Sequence, residues 1–228
     1  MFFDRYYLIL VVPALLFAMW AQGTVSSTYN KYSRVRSSRH LTAEEVARRI
    51  LDANDLYNVR VEHIRGNLTD HYDPAAKVVR LSDTVFGSDS VAALGVAAHE
   101  CGHAVQHARS YAPLLFRNAI VPITNFGSKL SIPLILLGFI MSYGPLVDIG
   151  LLLFALMAVF QLVTLPVEFN ASSRALATLE TSNYLEPSEL RGSQKVLRAA
   201  ALTYVAALLV TVMQLLRLVL LFGNRRRD

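Results

Sequence analysis

The amino-acid sequence predicts a mainly α integral membrane protein, with about four transmembrane helices and a small α+β part that carries a short β-hairpin. Three observations lead there. Over 228 residues the apolar content is 54% and the mean hydropathy +0.38, too apolar for an ordinary water-soluble domain. The excess is gathered into blocks of spanning length. Between the first and second blocks lies a polar region of short amphipathic and alternating segments, as expected of a water-exposed part. The net charge of +5 is modest and divided among several loops. No basic stripe with interleaved aromatics is present, so no nucleic-acid partner is expected.

In chain order, Tyr6 to Ala21 is apolar and aromatic, interrupted only by Pro13, with Tyr6, Tyr7 and Trp20 near its ends where interfacial aromatics sit. It reads as an uncleaved anchor, because it has neither a basic n-region nor a small-x-small cleavage site. Lys31, Arg34, Arg36 and Arg39 follow as a basic juxtamembrane collar. Thr42-Ala-Glu-Glu45 offers a capping box for a helix through Asp52. Val59 to Ile64 and Lys77 to Ser82 are alternating or β-branched, separated by a turn-rich stretch with Gly66, Asn67, Asp70, Asp73 and Pro74. This pattern predicts a hairpin with a long tip, whose strand ending at Ser82 is a candidate edge for an extended peptide. A helix run follows, with Ser88 or Ser90 as N-cap. Ser131 to Ser142, extended by residues from Ile120 to Leu130, and Leu146 to Val167 form a transmembrane hairpin about Tyr143-Gly144-Pro145. Polarity returns near Pro166, and Ala199 to Phe222 is a last span ahead of Arg225, Arg226 and Arg227. Arg217, close to that span's end, is expected to snorkel to the interface.

The run with a specific chemical reading is His99-Glu100-Cys101-Gly102-His103. On a helix, residues four apart sit on one face, so both imidazoles can address a single ion. Zinc is the cation this H-E-x-x-H pattern suits, with three protein ligands and a further position for water. Glu100 lies about 100° around the helix from His99, where it can reach that water without being a ligand. It is the candidate general base. The single cysteine, Cys101, has no partner for a disulfide and points away from the histidine face, so it reads as helix filler.

A third ligand must come from elsewhere. His107 fails on geometry, because His99 and His107 are about 12 Å apart along a straight helix. It reads instead as a supporting or cleft residue. Glu168 is the better candidate, an isolated carboxylate at the membrane-proximal start of a helix in an apolar context, and zinc peptidases favour two histidines with one carboxylate. Donors for a developing oxyanion are only weakly signalled: His71, Tyr72, Arg174 and Tyr184. A structural zinc in a catalytically inactive membrane scaffold or binding protein is the alternative, but it would want four protein ligands and would give Glu100 no task. A zinc hydrolase acting on lipid or another amide also satisfies the motif.

The runs Asp70-His71-Tyr72-Asp73-Pro74, Val79 to Ser82, Ala92 to His107 and Leu165-Pro-Val-Glu-Phe-Asn-Ala-Ser-Ser-Arg-Ala175 together resemble the YugP-like membrane zinc metallopeptidase family, over nearly the whole chain. The resemblance implies a zincin-like catalytic part of gluzincin type, with His99, His103 and Glu168 on zinc and Glu100 as base. Asn170 stands where that family is expected to carry an aspartate, which would orient a zinc-bound histidine. The chain then divides into an anchor (1–25), a catalytic part with the H-E-x-x-H helix (26–118), a transmembrane hairpin (119–167), a second catalytic part with the third ligand (168–198), and a last span with a basic tail (199–228). Expected partners are the lipid bilayer and a peptide or protein substrate, a membrane protein among the possible ones. Ten basic residues flank the spans on the catalytic side (Lys31, Arg34, Arg36, Arg39, Arg117, Lys129, Arg174, Arg191, Lys195, Arg198), against four on the other (Arg5, Arg225, Arg226, Arg227). The positive-inside rule therefore predicts a multi-pass cell-membrane protein with its catalytic side in the cytoplasm.

Overall fold

The computed structural model describes residues 4–223. A π-helical turn, Tyr7–Val11, leads into α1 (Val12–Tyr32), and α2 (Ala43–Asp52) follows. Then come β1 (Arg60–Ile64), β2 (His71–Asp73), β3 (Val78–Ser82), α3 (Val91–Ala108), α4 (Ala112–Ile140), α5 (Gly144–Thr181) and α6 (Pro187–Gly223). α1 with its π turn, α4, α5 and α6 are the four helices long and apolar enough to cross a membrane among the described residues. The protein is mostly helical with one small sheet, and α4 and α5 are joined by a short connection, 141–143, while Gly144 and Pro145 of the expected turn already belong to α5.

The helices outrun the apolar blocks. α5 continues without a break past Pro166 to Thr181, and α6 begins at Pro187, well before the apolar run at Ala199. A polarity change marks the edge of hydrocarbon, where the backbone has no reason to stop being helical. For the same reason Lys129, read as preceding a span, lies inside α4, and the first part of the basic collar is the end of α1. The Arg225 to Arg227 cluster lies outside the described residues.

Two compact units are present. The first takes the described residues up to Gln22, Phe116–Pro166, and the described residues from Leu202 on. Its core is Ile135, Phe154 and Leu218, and a Cβ on Gly150 would meet the Ser131 carbonyl oxygen at 2.8 Å, so only glycine allows α4 and α5 this close. Large apolar side chains such as Ile9, Met19, Phe126 and Leu162 stay exposed, as lipid-facing residues must. The Arg217 guanidinium pairs with Asp4, a carboxylate just ahead of the first apolar block, at 2.6 Å and lies over the Tyr7 ring.

The second unit takes Gly23–Leu115 and Val167–Ala201. The capping box forms as predicted: Thr42 Oγ1 accepts from Glu45 N–H and Glu45 accepts from Thr42 N–H. Ser90 is the N-cap of α3. The sheet departs from the predicted hairpin of two strands. Its order is β1-β3-β2, with β1 parallel to β3 and β2 antiparallel to it. The turn-rich stretch thus contains a strand of its own, and the strand ending at Ser82 is central, both of its edges occupied. Asp70 pins that arrangement by accepting from Ser82 N–H at 2.7 Å and from its hydroxyl at 2.9 Å. Registry puts Val61, Val79 and Tyr72 in one row, packed on the core with α3, and Glu62, Arg80 and His71 in the alternate row. α3 is the buried axis of this unit, its apolar faces covered by α2, the sheet, and the segments of α5 and α6 that belong here.

Candidate metal centre

α3 presents His99 and His103 on one face, their ring centroids 4.7 Å apart, both half-buried. Glu168, on α5, reaches them: its Oε2 is 3.3 Å from His99 Nε2 and 3.6 Å from His103 Nε2. The approach depends on Gly102, where a Cβ would meet the Ala171 carbonyl oxygen of α5 at 2.8 Å. Ala171 is itself fully buried. A small residue on each helix therefore brings the Glu168 carboxylate within range of both imidazoles.

The two histidines are oriented from behind. His99 Nδ1 is 3.1 Å from Ser172 Oγ, and His103 Nδ1 is 3.0 Å from Gln106 Oε1. With Nδ1–H donating in both cases, each Nε2 lone pair is left facing Glu168. Gln106 is completely buried and uses its own amide nitrogen on the Val167 carbonyl (2.8 Å) and on Asn170 Oδ1 (3.0 Å). Burial works against a protonated His103, but the Glu168 and Glu100 carboxylates outweigh it and raise the imidazole above the usual histidine range. Protons and a cation compete for that nitrogen. Glu100 is half-buried and makes no hydrogen bond or ion pair among the described residues. Burial pushes the Cys101 thiol far up, and Cys101 packs inside the core as an inert filler.

The remaining candidates separate. Tyr72, on the free-edge strand β2, places its hydroxyl 2.9 Å from His107 Nδ1, one turn beyond His103 on α3. His71 points the other way, bonded to the Thr69 carbonyl and to Arg80. Asn170 touches neither histidine. Its Oδ1 accepts from Gln106 and, at 2.7 Å, from Arg174 Nε. Tyr184 gives its carbonyl to Ser37 and packs on the core.

His99, His103 and Glu168 are the group able to hold a cation among the described residues, their ligand atoms all within 4.8 Å of one another. The family model described as "Putative neutral zinc metallopeptidase" matches residues 7–223. The chain belongs to this family. A Bacillus subtilis (strain 168) protein named "Putative membrane protease YugP" is 49% identical over 222 residues, covering 97% of this chain and 99% of that protein. No solved structure matches. Family membership implies zinc, and the donor set fits it: bonds of about 2.0–2.2 Å at tetrahedral angles separate ligand atoms by roughly 3.3–3.6 Å, as Glu168 is from the two histidines. At the cluster of His99, His103 and Glu168, sequence reasoning missed Gln106 and Ser172. The one available signal was Gln106, an amide three residues after His103 on the same helix. Ser172 gave none.

Proposed function

We propose that this chain is a membrane-embedded zinc-dependent endopeptidase of gluzincin type, with a zincin-like catalytic part, His99, His103 and Glu168 as zinc ligands, and Glu100 as general base. The observation that carries the proposal is the convergence of the two helix-borne imidazoles and the Glu168 carboxylate, with an uncommitted carboxylate one residue away.

Bound zinc supplies Lewis acidity to a peptide carbonyl and to an attacking water. Glu100 takes that water's proton and delivers it to the leaving amine nitrogen. Ser172 and Gln106 hold the imidazoles in the tautomer that leaves Nε2 free, and Gly102 holds α5 close. Tyr72 serves as donor to the carbonyl oxygen as it becomes negative, with His107, in its Nδ1–H form, donating to the phenol oxygen and so leaving the phenol proton free. Burial, and then the neighbouring Asp73 carboxylate, push the Tyr72 phenol above the usual tyrosine range, which keeps it a protonated donor. The free edge of β2 offers backbone pairing to an extended peptide, the role first read onto β3. Substrates of this reading are peptides or protein loops, those of membrane proteins among them.

The catalytic side is assigned to the cytoplasm, on the basic residues near the ends of α1, α5 and α6. A Ser38→Cys protein should be shielded from a membrane-impermeant thiol reagent in intact cells while Pro145→Cys is labelled; the opposite labelling reverses the orientation.

Glu100→Gln separates catalysis from metal binding. The zinc-loaded variant should retain the metal and lose peptide hydrolysis by at least about 10²–10⁴-fold, as expected on removing a general base. Undiminished cleavage products in mass spectra of a digested peptide library would remove Glu100 from the mechanism.

A further inference from the structure

Around α3 from the histidine face, residues of α2, α3 and α5 and the turns after α2 and α3 line an open-mouthed cavity of ≈ 280 Å³ in the second unit. Its polar lining is Asn54, Arg109, Arg174 and Thr178; the rest is aliphatic or glycine, and no acidic residue lines it among the described residues. Two guanidinium groups thus face a small cavity without a carboxylate. Among the described residues their side-chain partners are neutral. Arg109 donates to Asn54 Oδ1 at 3.1 Å, which fixes it at the rim. Arg174 donates through Nε to Asn170 Oδ1 at 2.7 Å, which fixes the plane of its guanidinium, while its two terminal nitrogens make no hydrogen bond among the described residues. Arg174 is half-buried. A partly desolvated guanidinium with a neutral partner keeps its full charge in a medium of reduced dielectric, where an anion is attracted more strongly than in water.

We propose that this cavity is a binding site for a compact oxyanion of phosphate size, held by the terminal nitrogens of Arg174 from within and by Arg109 at the rim, and linked to the metal centre. The fork geometry of arginine matches a phosphoryl or carboxyl group. The volume lies just below the range of small-molecule sites, about 300–1,000 Å³, which favours inorganic phosphate or a small phosphomonoester over a larger ligand. The link is a continuous chain of hydrogen bonds. Arg174 Nε and Gln106 Nε2 share Asn170 Oδ1, and Gln106 Oε1 meets His103 Nδ1. Gly102 lines the cavity and is also the point where α3 touches α5. An anion that draws on Arg174 acts on Asn170, then on Gln106, then on the orientation of His103. By reciprocity, a cation at the histidines changes the anion's affinity by the same factor. The linkage rests on the zinc reading, whereas the anion site does not.

The test is calorimetric titration of detergent-purified full-length protein with inorganic phosphate and, separately, glycerol phosphate, at constant ionic strength. It is run on chelator-treated and on zinc-loaded samples. Saturable binding is expected in the chelator-treated protein, weakened at least tenfold by Arg174→Gln and less by Arg109→Gln, and unchanged by Arg191→Gln, an exposed arginine elsewhere. A tighter fit for glycerol phosphate would name the phosphomonoester as the ligand, and a tighter fit for phosphate the free ion. Zinc loading should shift the dissociation constant several-fold in the unmodified protein. An unaltered melting temperature of Arg174→Gln confirms that it folds, and if it does not fold, Thr178→Val, which keeps both arginines and alters the lining, should weaken binding instead. No saturable binding, or binding indifferent to both arginines, overturns the site. Arginine-dependent binding identical with and without zinc overturns the linkage.

Discussion

Replacing Gly102 by alanine adds a single methyl group, and the structure says what that group does. Its Cβ would sit 2.8 Å from the Ala171 carbonyl oxygen, against about 3.4 Å for the start of ordinary contact, so α3 and α5 must part by about 0.6 Å. The obstructing atom is backbone, which cannot rotate away. Glu168 lies three residues before Ala171 on α5, and His103 directly follows Gly102 on α3. Separations of 3.3 and 3.6 Å between Glu168 and the imidazoles therefore widen well past the tolerance of about 0.2 Å that a metal site allows. Zinc affinity should fall by roughly 10–100-fold, about 1.4–2.8 kcal/mol. Alanine also favours the helix itself by about 1 kcal/mol over glycine, so the loss need not come with unfolding. Competition against a chromophoric chelator measures the affinity, and circular dichroism monitors the fold. Gly95→Ala is the control, because its methyl meets the Ser193 side chain and leaves α5 alone. Unchanged zinc affinity in Gly102→Ala, or an equal loss in Gly95→Ala, would refute the idea that this close approach sets the site.

Ser172→Ala should weaken zinc by about 10–100-fold without abolishing binding, the usual cost of losing a group that orients a ligand; the same chelator competition reads it. Arg217→Leu leaves Asp4 without its cation and should cost about 3–5 kcal/mol in detergent denaturation, whereas pairing it with Asp4→Asn should restore most of that. Burial raises the Asp70 carboxyl above its usual range despite its bonds to Ser82. The folded state thus favours the protonated acid, and Asp70's contribution to stability is full below the usual carboxylate pKa of about 3.9 and lost as pH rises through the raised value. Asp70→Asn should remove that step from denaturation curves taken between acid and neutral pH, and an unchanged pH profile would contradict the assignment.

What the sequence made legible follows from distance along the chain. The His99, Glu100 and His103 pattern, the Thr42 capping box and the Ser90 N-cap are each set within one helical turn, and the structure forms all of these local features as read. Glu168 stood out only because a lone carboxylate after an apolar span is expensive. The sheet was misread because three short strands give the same alternation whether paired in sequence order or around a crossover, and the β1 to β3 pairing is parallel. The spans read as ending at Val167 and starting at Ala199 are parts of longer helices, and Glu168, read as the start of a helix, lies inside α5, because hydropathy reports lipid and not backbone. Ser172 and the Arg217 to Asp4 pair stayed hidden for one reason: a polar side chain whose partner lies tens to hundreds of residues away leaves no local signal, whereas Gln106, three residues from His103, left one that went unread.

Metal analysis of two variants after chelator challenge tests the central claim most directly. The unmodified protein should hold about one zinc per chain, Glu168→Gln should lose it, and His107→Ala, which sits a turn beyond the ligands beside Tyr72, should keep it. A Glu168→Gln protein with full zinc beside a His107→Ala protein without it would contradict the account, because the third ligand would then be the histidine.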